Sequence, residues 1–133
     1  PATLIVIPCF RERERLPKFL PGLCAALEGV PDVRVRVVDD GSGAEEQQWA
    51  GAYIEKLRAQ FPLLDPAQLN AENHGKGGAV YSGWNRPEGA VRLGFVDADG
   101  AVPAGEVVRL LQLPASQPDT AVYAVRTGES GTR

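Results

Sequence analysis

Histidine and cysteine are scarce in this chain of 133 residues, and the few that occur are scattered. His74 is the one histidine, and Cys9 and Cys24 are the two cysteines. They form neither a Cys-x-x-Cys pair nor a cluster of cysteine and histidine, which excludes the usual zinc and redox motifs. We therefore expect both cysteines to be reduced, packed thiols, as in a cytoplasmic protein.

The sequence also lacks a long apolar run and an excess of positive charge. No apolar run approaches the roughly 20 residues that cross a bilayer, and the first residues resemble a strand instead of a secretory signal. The formal net charge is −3, so there is no basic field for nucleic acid phosphates. These absences predict a soluble chain that binds no nucleic acid.

What is present is an alternation of apolar runs and amphipathic segments, with 44% hydrophobic and 23% charged residues. Composition and length predict one domain over residues 1–133. We predict strands at residues 3–7, 33–38, 67–70, 90–96 and 121–125. Helices are predicted between the strands, the second one starting at a capping box of Ser42 and Glu45 and running to Pro62. This order predicts an α/β fold in three layers, a mostly parallel sheet with helices on both faces.

Polar motifs follow four of the predicted strands, at residues 8–12, 39–43, 73–78 and 97–100. Ligands of such sheets bind outside the carboxyl ends of the strands, so one edge collects these motifs. In the last motif, Asp97 and Asp99 flank Ala98. We expect the two carboxylates to emerge side by side and half solvated, where Mg²⁺ or Mn²⁺ can bridge them to a diphosphate. The alternative is that they cap the helix that starts near Pro103.

Two familiar phosphate-binding loops do not fit the sequence. A dinucleotide-binding loop would need a third glycine where Glu46 stands, and a P-loop would need Ser or Thr where Gly77 follows Lys76. What fits is a set of four motifs in order: Ile5-Val6-Ile7-Pro8-Cys9-Phe10-Arg11-Glu12, Val37-Val38-Asp39-Asp40-Gly41-Ser42, Asn73-His74-Gly75-Lys76-Gly77-Gly78-Ala79-Val80 and Phe95-Val96-Asp97-Ala98-Asp99-Gly100-Ala101.

Together these motifs resemble family 2 glycosyltransferases, enzymes of the GT-A fold that include dolichyl-phosphate mannose and glucose synthases. Arg11 stands where the family usually has Asn, and Gly100-Ala101 favours the glucosyltransferase branch. Family members continue beyond the fifth strand into a region that shapes the acceptor site. We therefore expect this chain to be the donor-binding portion only.

The resemblance implies a role for each matching residue. Asp97-Ala98-Asp99 would hold the cation against the donor phosphates. Lys76 would touch the diphosphate, with a solvated surface lysine as the alternative. Arg126, after the fifth strand, would lie near the phosphates, with simple surface exposure as its alternative.

The remaining roles concern the nucleoside. Pro8, Phe10 and Glu12 would line its pocket, Glu12 bonding to the base or the ribose. Asp40 would accept hydrogen bonds from the base, and Val38 would add backbone and apolar contact. For Asp39, turn formation or helix capping is as good an interpretation as ligand binding.

The implied reaction transfers a sugar, with inversion, from a UDP- or GDP-sugar to an acceptor, either a polyprenyl phosphate or a saccharide. No general base can be assigned. The implied setting is the cytoplasm, with attachment to the cytoplasmic face of a membrane through residues not in this chain as a further option. Two alternatives stay open: a haloacid-dehalogenase-like phosphatase that uses Asp97-Ala98-Asp99-Gly100, and a nucleotide-binding module without catalysis.

Overall fold

A computed structural model describes residues 3–112, in which a parallel four-stranded sheet is packed between helices. The elements in chain order are β1 (Thr3–Cys9), α1 (Leu16–Leu27), β2 (Val33–Asp40), α2 (Ala44–Arg58), β3 (Gln68–Asn70), α3 (Gly75–Trp84), β4 (Arg92–Phe95) and α4 (Ala104–Leu111). The predicted strand at 121–125 lies outside the described residues, as does Arg126.

The strands lie in the order β3-β2-β1-β4, and every pair is parallel. β1 is central because its run of branched aliphatic side chains is buried on both faces, as parallel sheets require. Its register with β2 runs from Thr3 opposite Val33 to Cys9 opposite Asp39. The predicted α/β class and parallel sheet are confirmed.

Side chains of β1 and β2 alternate between two differently covered faces. Ile5, Ile7, Val35 and Val37 pack with residues of α1, α2 and α4. We call this side the three-helix face. Leu4, Val6 and Val38 point the other way and pack with Ala79 of α3. We call this side the α3 face, and the helices on both sides confirm the predicted layers.

Gly83 lets α3 approach the sheet closely. A Cβ atom at this position would lie 2.7 Å from Cγ2 of Val6 and 3.0 Å from Cγ2 of Val38. Because real Cβ atoms do not come so near, only glycine permits this approach. The close packing sets α3 directly over β1 and β2.

The structure corrects the predicted start and end of α2. The helix begins at Ala44 after Gly43 and has no side-chain cap, so the capping box of Ser42 and Glu45 is wrong. Ser42 donates its hydroxyl hydrogen to Asp39 instead, at 2.8 Å, which removes it from the helix end. The helix stops at Arg58, before Pro62.

The other boundaries differ less. α1 contains Pro21 and still runs unbroken from Leu16 to Leu27. β4 is shorter than the predicted 90–96, although the Val96 amide continues the pairing by donating to the Val6 carbonyl at 3.0 Å. Within residues 3–112, none of the helices combines the length and the apolar character needed to cross a membrane.

Candidate functional site

A small cleft lies at the carboxyl edge of the sheet on the α3 face. Its volume is about 140 Å³, and it is lined by Pro8, Cys9, Phe10, Glu12, Asp40, Asn73, Gly75, Lys76 and Ala79. The loops after β1 and β2 and the start of α3 therefore meet here. Five of the residues singled out from the sequence, Pro8, Phe10, Glu12, Asp40 and Lys76, are brought together.

Other candidates lie outside the cleft wall. Val38 is fully buried beneath α3, and Ala98 is buried in the core of the three-helix face. Asp97 contacts the cleft indirectly, through Lys76. Arg126 lies outside the described residues.

Asp40 ties the loop after β2 to the loop before α3. Its side chain is 3% exposed, and Oδ1 accepts a hydrogen bond from the His74 amide at 2.9 Å. The Asp40 carbonyl accepts a second bond, from Nδ2 of Asn73 at 3.0 Å. Asp40 thus orders the glycine-rich segment that forms one wall of the cleft.

Gly41 makes this junction sterically possible. Its φ is +72°, and a Cβ atom here would lie 2.5 Å from the backbone nitrogen of Asn73. Any side chain would collide with the neighbouring loop as well as strain the backbone. The glycine of the Asp-Asp-Gly-Ser motif is therefore required by packing at the site.

Asp39 points to the other face and has a turn-forming role, one of the two alternatives for it. Its carboxylate accepts hydrogen bonds from the Ser42 amide at 2.9 Å, the Ser42 hydroxyl at 2.8 Å and Nε2 of Gln47 at 2.9 Å. The Ser42 hydroxyl oxygen also accepts from the Arg11 amide, at 2.8 Å. Asp39 and Ser42 thereby hold the loop after β1 in place.

Sequence reasoning missed Ser42 and Gln47 as parts of this support. The Asp-x-x-Ser spacing of residues 39 and 42 is a recognisable turn signal, so Ser42 could have been assigned to Asp39. Gln47 had no such signal. Its contacts to Asp39 and to the Asn70 carbonyl span 8 and 23 residues of sequence.

The loop after β1 carries the aromatic and acidic candidates. Phe10 is 41% exposed, with the Arg11 guanidinium 5.0 Å from its ring centroid. Arg11 has a φ of +54°, an unusual value for a residue with a side chain. The Glu12 carboxylate lies at the cleft and accepts from both Nε and Nη2 of Arg15, at 2.7 and 2.9 Å. Glu12 is thus oriented by a two-point ion pair.

Lys76 forms an ion pair with Asp97. Nζ of Lys76 lies 2.9 Å from Oδ1 of Asp97, and the two side chains are 17% and 4% exposed. Nζ is also 5.4 Å from the ring centroid of Phe95. The alternative of a solvated surface lysine is therefore wrong.

The two carboxylates after β4 are not equivalent. Asp97 is buried against Lys76, whereas Asp99 is exposed and accepts from the Ala101 amide at 2.9 Å. The prediction of two half-solvated neighbours is thus wrong, because the strand ends at Phe95 and the chain turns at Gly100, whose φ is +75°. The capping alternative is wrong as well, since the N-cap of α4 is Pro103 and has no side-chain hydrogen bond.

Cys9 is a further residue of the cleft that the sequence did not suggest. Burial, followed by the nearby charges of Glu12 and Asp39, raises the pKa of its thiol well above the ordinary value. Cys9 is therefore a neutral thiol near pH 7 and contributes an uncharged, unreactive wall.

The donor atoms near β4 suit a hard divalent cation. Residues 3–112 hold no group of three histidine, cysteine or acidic side chains arranged around a common metal position. Mg²⁺ is commonly bound by one or two carboxylates, with phosphates and water completing its shell. Asp97 and Asp99 match that chemistry, which needs a phosphate ligand as a partner.

Comparison with known proteins yields a consistent set of relatives. The model of the glycosyl transferase family 2 matches residues 4–133. A polyprenol monophosphomannose synthase of Mycolicibacterium smegmatis is 32% identical over 122 residues, which are 90% of this chain and 43% of that protein. A dolichyl-phosphate beta-glucosyltransferase of Drosophila melanogaster is 38% identical over 103 residues, 73% of this chain and 30% of that protein.

The chain thus spans less than half the length of these relatives. Among solved structures, S. aureus TarS (residues 1–349) superposes with a TM-score of 0.57 at 20% identity, over 74% of this chain and 28% of that one. At that identity the likeness concerns the fold alone. Because the family model matches nearly the whole length of the chain, the chain belongs to glycosyl transferase family 2.

Proposed function

We propose that this chain is the donor-binding part of a glycosyltransferase that transfers a sugar from a UDP- or GDP-sugar to a polyprenyl phosphate, with inversion. One observation carries the proposal. The four motifs that the sequence shares with the family converge at one sheet edge, where Lys76 lines the cleft and its ammonium group lies 2.9 Å from the buried carboxylate of Asp97.

The residues of the cleft divide by chemistry into two groups. Asp40, Phe10 and Glu12 offer hydrogen-bond acceptors and an aromatic surface, which suit a base and a ribose. Lys76 and the first amides of α3 offer positive charge, which suits a diphosphate at a helix N-terminus. In this arrangement the nucleoside lies toward β1 and β2, and the phosphates lie toward α3 and β4.

Asp97 and Asp99 would hold Mg²⁺ or Mn²⁺. The cation would offset negative charge on the departing nucleoside diphosphate. The chain's own contribution is to position the donor, to bring Lys76 near the phosphates, and to keep Asp97 desolvated so that its charge acts strongly.

The acceptor is inferred from the relatives and from chemistry. The names of three relatives refer to polyprenyl phosphates or their glycosylated products. The third of these relatives is an undecaprenyl-phosphate 4-deoxy-4-formamido-L-arabinose transferase of Pseudomonas syringae. A phosphate oxyanion is already deprotonated, so it needs no general base. A saccharide acceptor would require such a base. Binding of a polyprenyl phosphate would place the full protein at the cytoplasmic face of a membrane.

Calorimetry with UDP and GDP, each with and without Mn²⁺, tests donor binding to the chain. We expect one nucleotide to bind more tightly with Mn²⁺, and Asp99→Ala to abolish that metal-dependent gain. Glu28→Ala, a change of an exposed acid at the end of α1, is the matched control and should leave binding unchanged. Equal affinities in wild type and Asp99→Ala would remove the metal assignment, and no binding of either nucleotide would remove the donor site.

The phosphatase alternative is not retained, because the chain belongs to a different family. The other alternative, a nucleotide-binding module without catalysis, predicts a different result. Metal-dependent nucleotide binding without sugar transfer to a polyprenyl phosphate by the full-length protein would favour it.

A further inference from the structure

We propose that Lys76 is an internal counter-ion of Asp97 that exchanges partners when the donor binds, so that the cation and the nucleotide bind cooperatively. This inference rests on the proposed function, since it concerns the same cleft. The structure supports it with one contact: the ammonium group of Lys76 occupies a position 2.9 Å from the buried Oδ1 of Asp97.

The pair resolves the electrostatic problem of Asp97. A carboxylate that is 4% exposed loses most of its hydration, and a bare charge there would be costly. Lys76 balances that charge with no ligand required. A divalent cation that approaches Asp97 alone must therefore either displace the ammonium group or remain beside a like charge.

Lys76 also reaches the cleft in which the phosphates would lie. It lines the cleft with Asp40 and Glu12, and it is the second residue of α3, whose N-terminus favours anions. Its four-carbon side chain is flexible, so the ammonium group can move while the backbone stays fixed. A phosphate thus offers Lys76 a new partner within the same cleft.

The two binding events then favour each other. When a nucleotide diphosphate arrives, Lys76 moves from Asp97 to a phosphate, and Asp97 becomes available to the cation. Each ligand removes an obstacle to the other, and the coupling is equal in both directions. A cation without nucleotide, in contrast, binds against the ion pair and should bind weakly.

The test measures Mn²⁺ affinity by electron paramagnetic resonance of the free ion, in the absence and in the presence of saturating UDP or GDP. For the wild type, we expect the nucleotide to tighten Mn²⁺ binding by about 5- to 150-fold, the usual range of coupling between two sites. For Lys76→Gln without nucleotide, we expect tighter Mn²⁺ binding than in wild type, by about tenfold, and a smaller gain when nucleotide is added.

Three further variants make the test decisive. Lys56→Gln removes an exposed lysine of α2 and should behave as wild type. Lys76→Arg keeps a positive charge and should keep free Mn²⁺ binding weak. Lys76→Met removes the charge at similar volume and replaces Lys76→Gln if circular dichroism shows that the latter is unfolded.

Mn²⁺ binding that is unchanged or weaker when the Lys76 charge is removed would overturn this inference while leaving the donor site intact. Absence of any Mn²⁺ binding to wild type, even with nucleotide, would instead overturn the metal site of the proposed function together with the inference. The two failures are therefore distinguishable.

Discussion

The two faces of the sheet differ in how they are held together. Among residues 3–112, the three-helix face contains nineteen buried residues in one apolar cluster, whereas the buried apolar cluster of the α3 face contains four, Leu4, Val6, Val38 and Ala79. On the α3 face, charged side chains flank this small cluster, with Arg36 near one end and the Lys76–Asp97 pair near the other. The first face supplies most of the hydrophobic stabilisation, and the second leaves room for polar chemistry.

Charged side chains hold α3 at each of its ends. At the C-terminal end, the 4% exposed Arg36 donates to Asp65 and to the carbonyls of Gly83 and Arg86, both at 2.7 Å. Arg34 also donates to Asp65. At the N-terminal end, Lys76 contacts Asp97 and Asp40 accepts from His74. The comparison teaches that polar contacts fix both ends of this helix around a small apolar centre. The contacts at the C-terminal end are structural, and those at the N-terminal end lie beside the cleft.

The largest expected effect comes from Arg36→Ala, which tests whether buried charge does stabilise the α3 face. Removing Arg36 leaves Oδ2 of Asp65 and the carbonyls of Gly83 and Arg86 without their donor, although Oδ1 of Asp65 keeps Arg34. We expect the free energy of unfolding to fall by about 3–5 kcal/mol. Arg34→Ala removes a guanidinium that is 34% exposed and should cost less. Urea unfolding measures the free energy of unfolding of both variants. Equal losses would contradict the expectation that the buried Arg36 stabilises the fold more than the partly exposed Arg34.

A second, smaller effect tests the close approach of α3 to the sheet. Gly83→Ala would force its Cβ against Val6 and should cost about 1–3 kcal/mol. Gly77 lies in the same helix with open space around it, so Gly77→Ala should stabilise by about 0.5–1 kcal/mol. Thermal unfolding of both variants checks this pair. Changes of the same sign would show that the tight packing of this helix is not specific to Gly83.

The smallest effect concerns the three-helix face and depends on pH. Burial, and next the charge of Glu28, raises the pKa of Cys24 from 9.0 to about 12. The unfolded chain ionises this thiol first, so its stabilising contribution is complete below about pH 9 and is lost as the pH rises toward 12.

Relative to its own value at neutral pH, wild type should therefore lose about 1 kcal/mol more stability than Cys24→Ala at about pH 10. Urea unfolding at both pH values measures the two losses, and the variant serves as the control for every other group that titrates. Parallel losses would show that Cys24 is less desolvated than its place in the apolar core indicates.

Local patterns predicted the elements that are long and strongly periodic. The apolar run at residues 3–7 and the amphipathic segment after it were sufficient to predict β1 and α1. Burial of both faces of a strand or of one face of a helix dictates where apolar residues stand in the sequence. Tertiary contacts decided the start of α2, since Ser42 bonds to the buried Asp39 instead of the helix end. A capping signal in the sequence cannot show whether the Ser42 hydroxyl will bond to the helix end or to the Asp39 carboxylate.

For the candidate site, the sequence by itself determined which residue types collect at one edge, because parallel strands place their carboxyl ends together and the polar motifs follow those ends. Only the tertiary structure decided which of these charged groups form ion pairs and which are buried. Lys76 and Asp97 are 21 positions apart, and their contact depends on how closely α3 packs on β1 and β2. Burial then separates Asp97 from Asp99, a difference that two identical side chains in one short motif cannot reveal before the chain has folded.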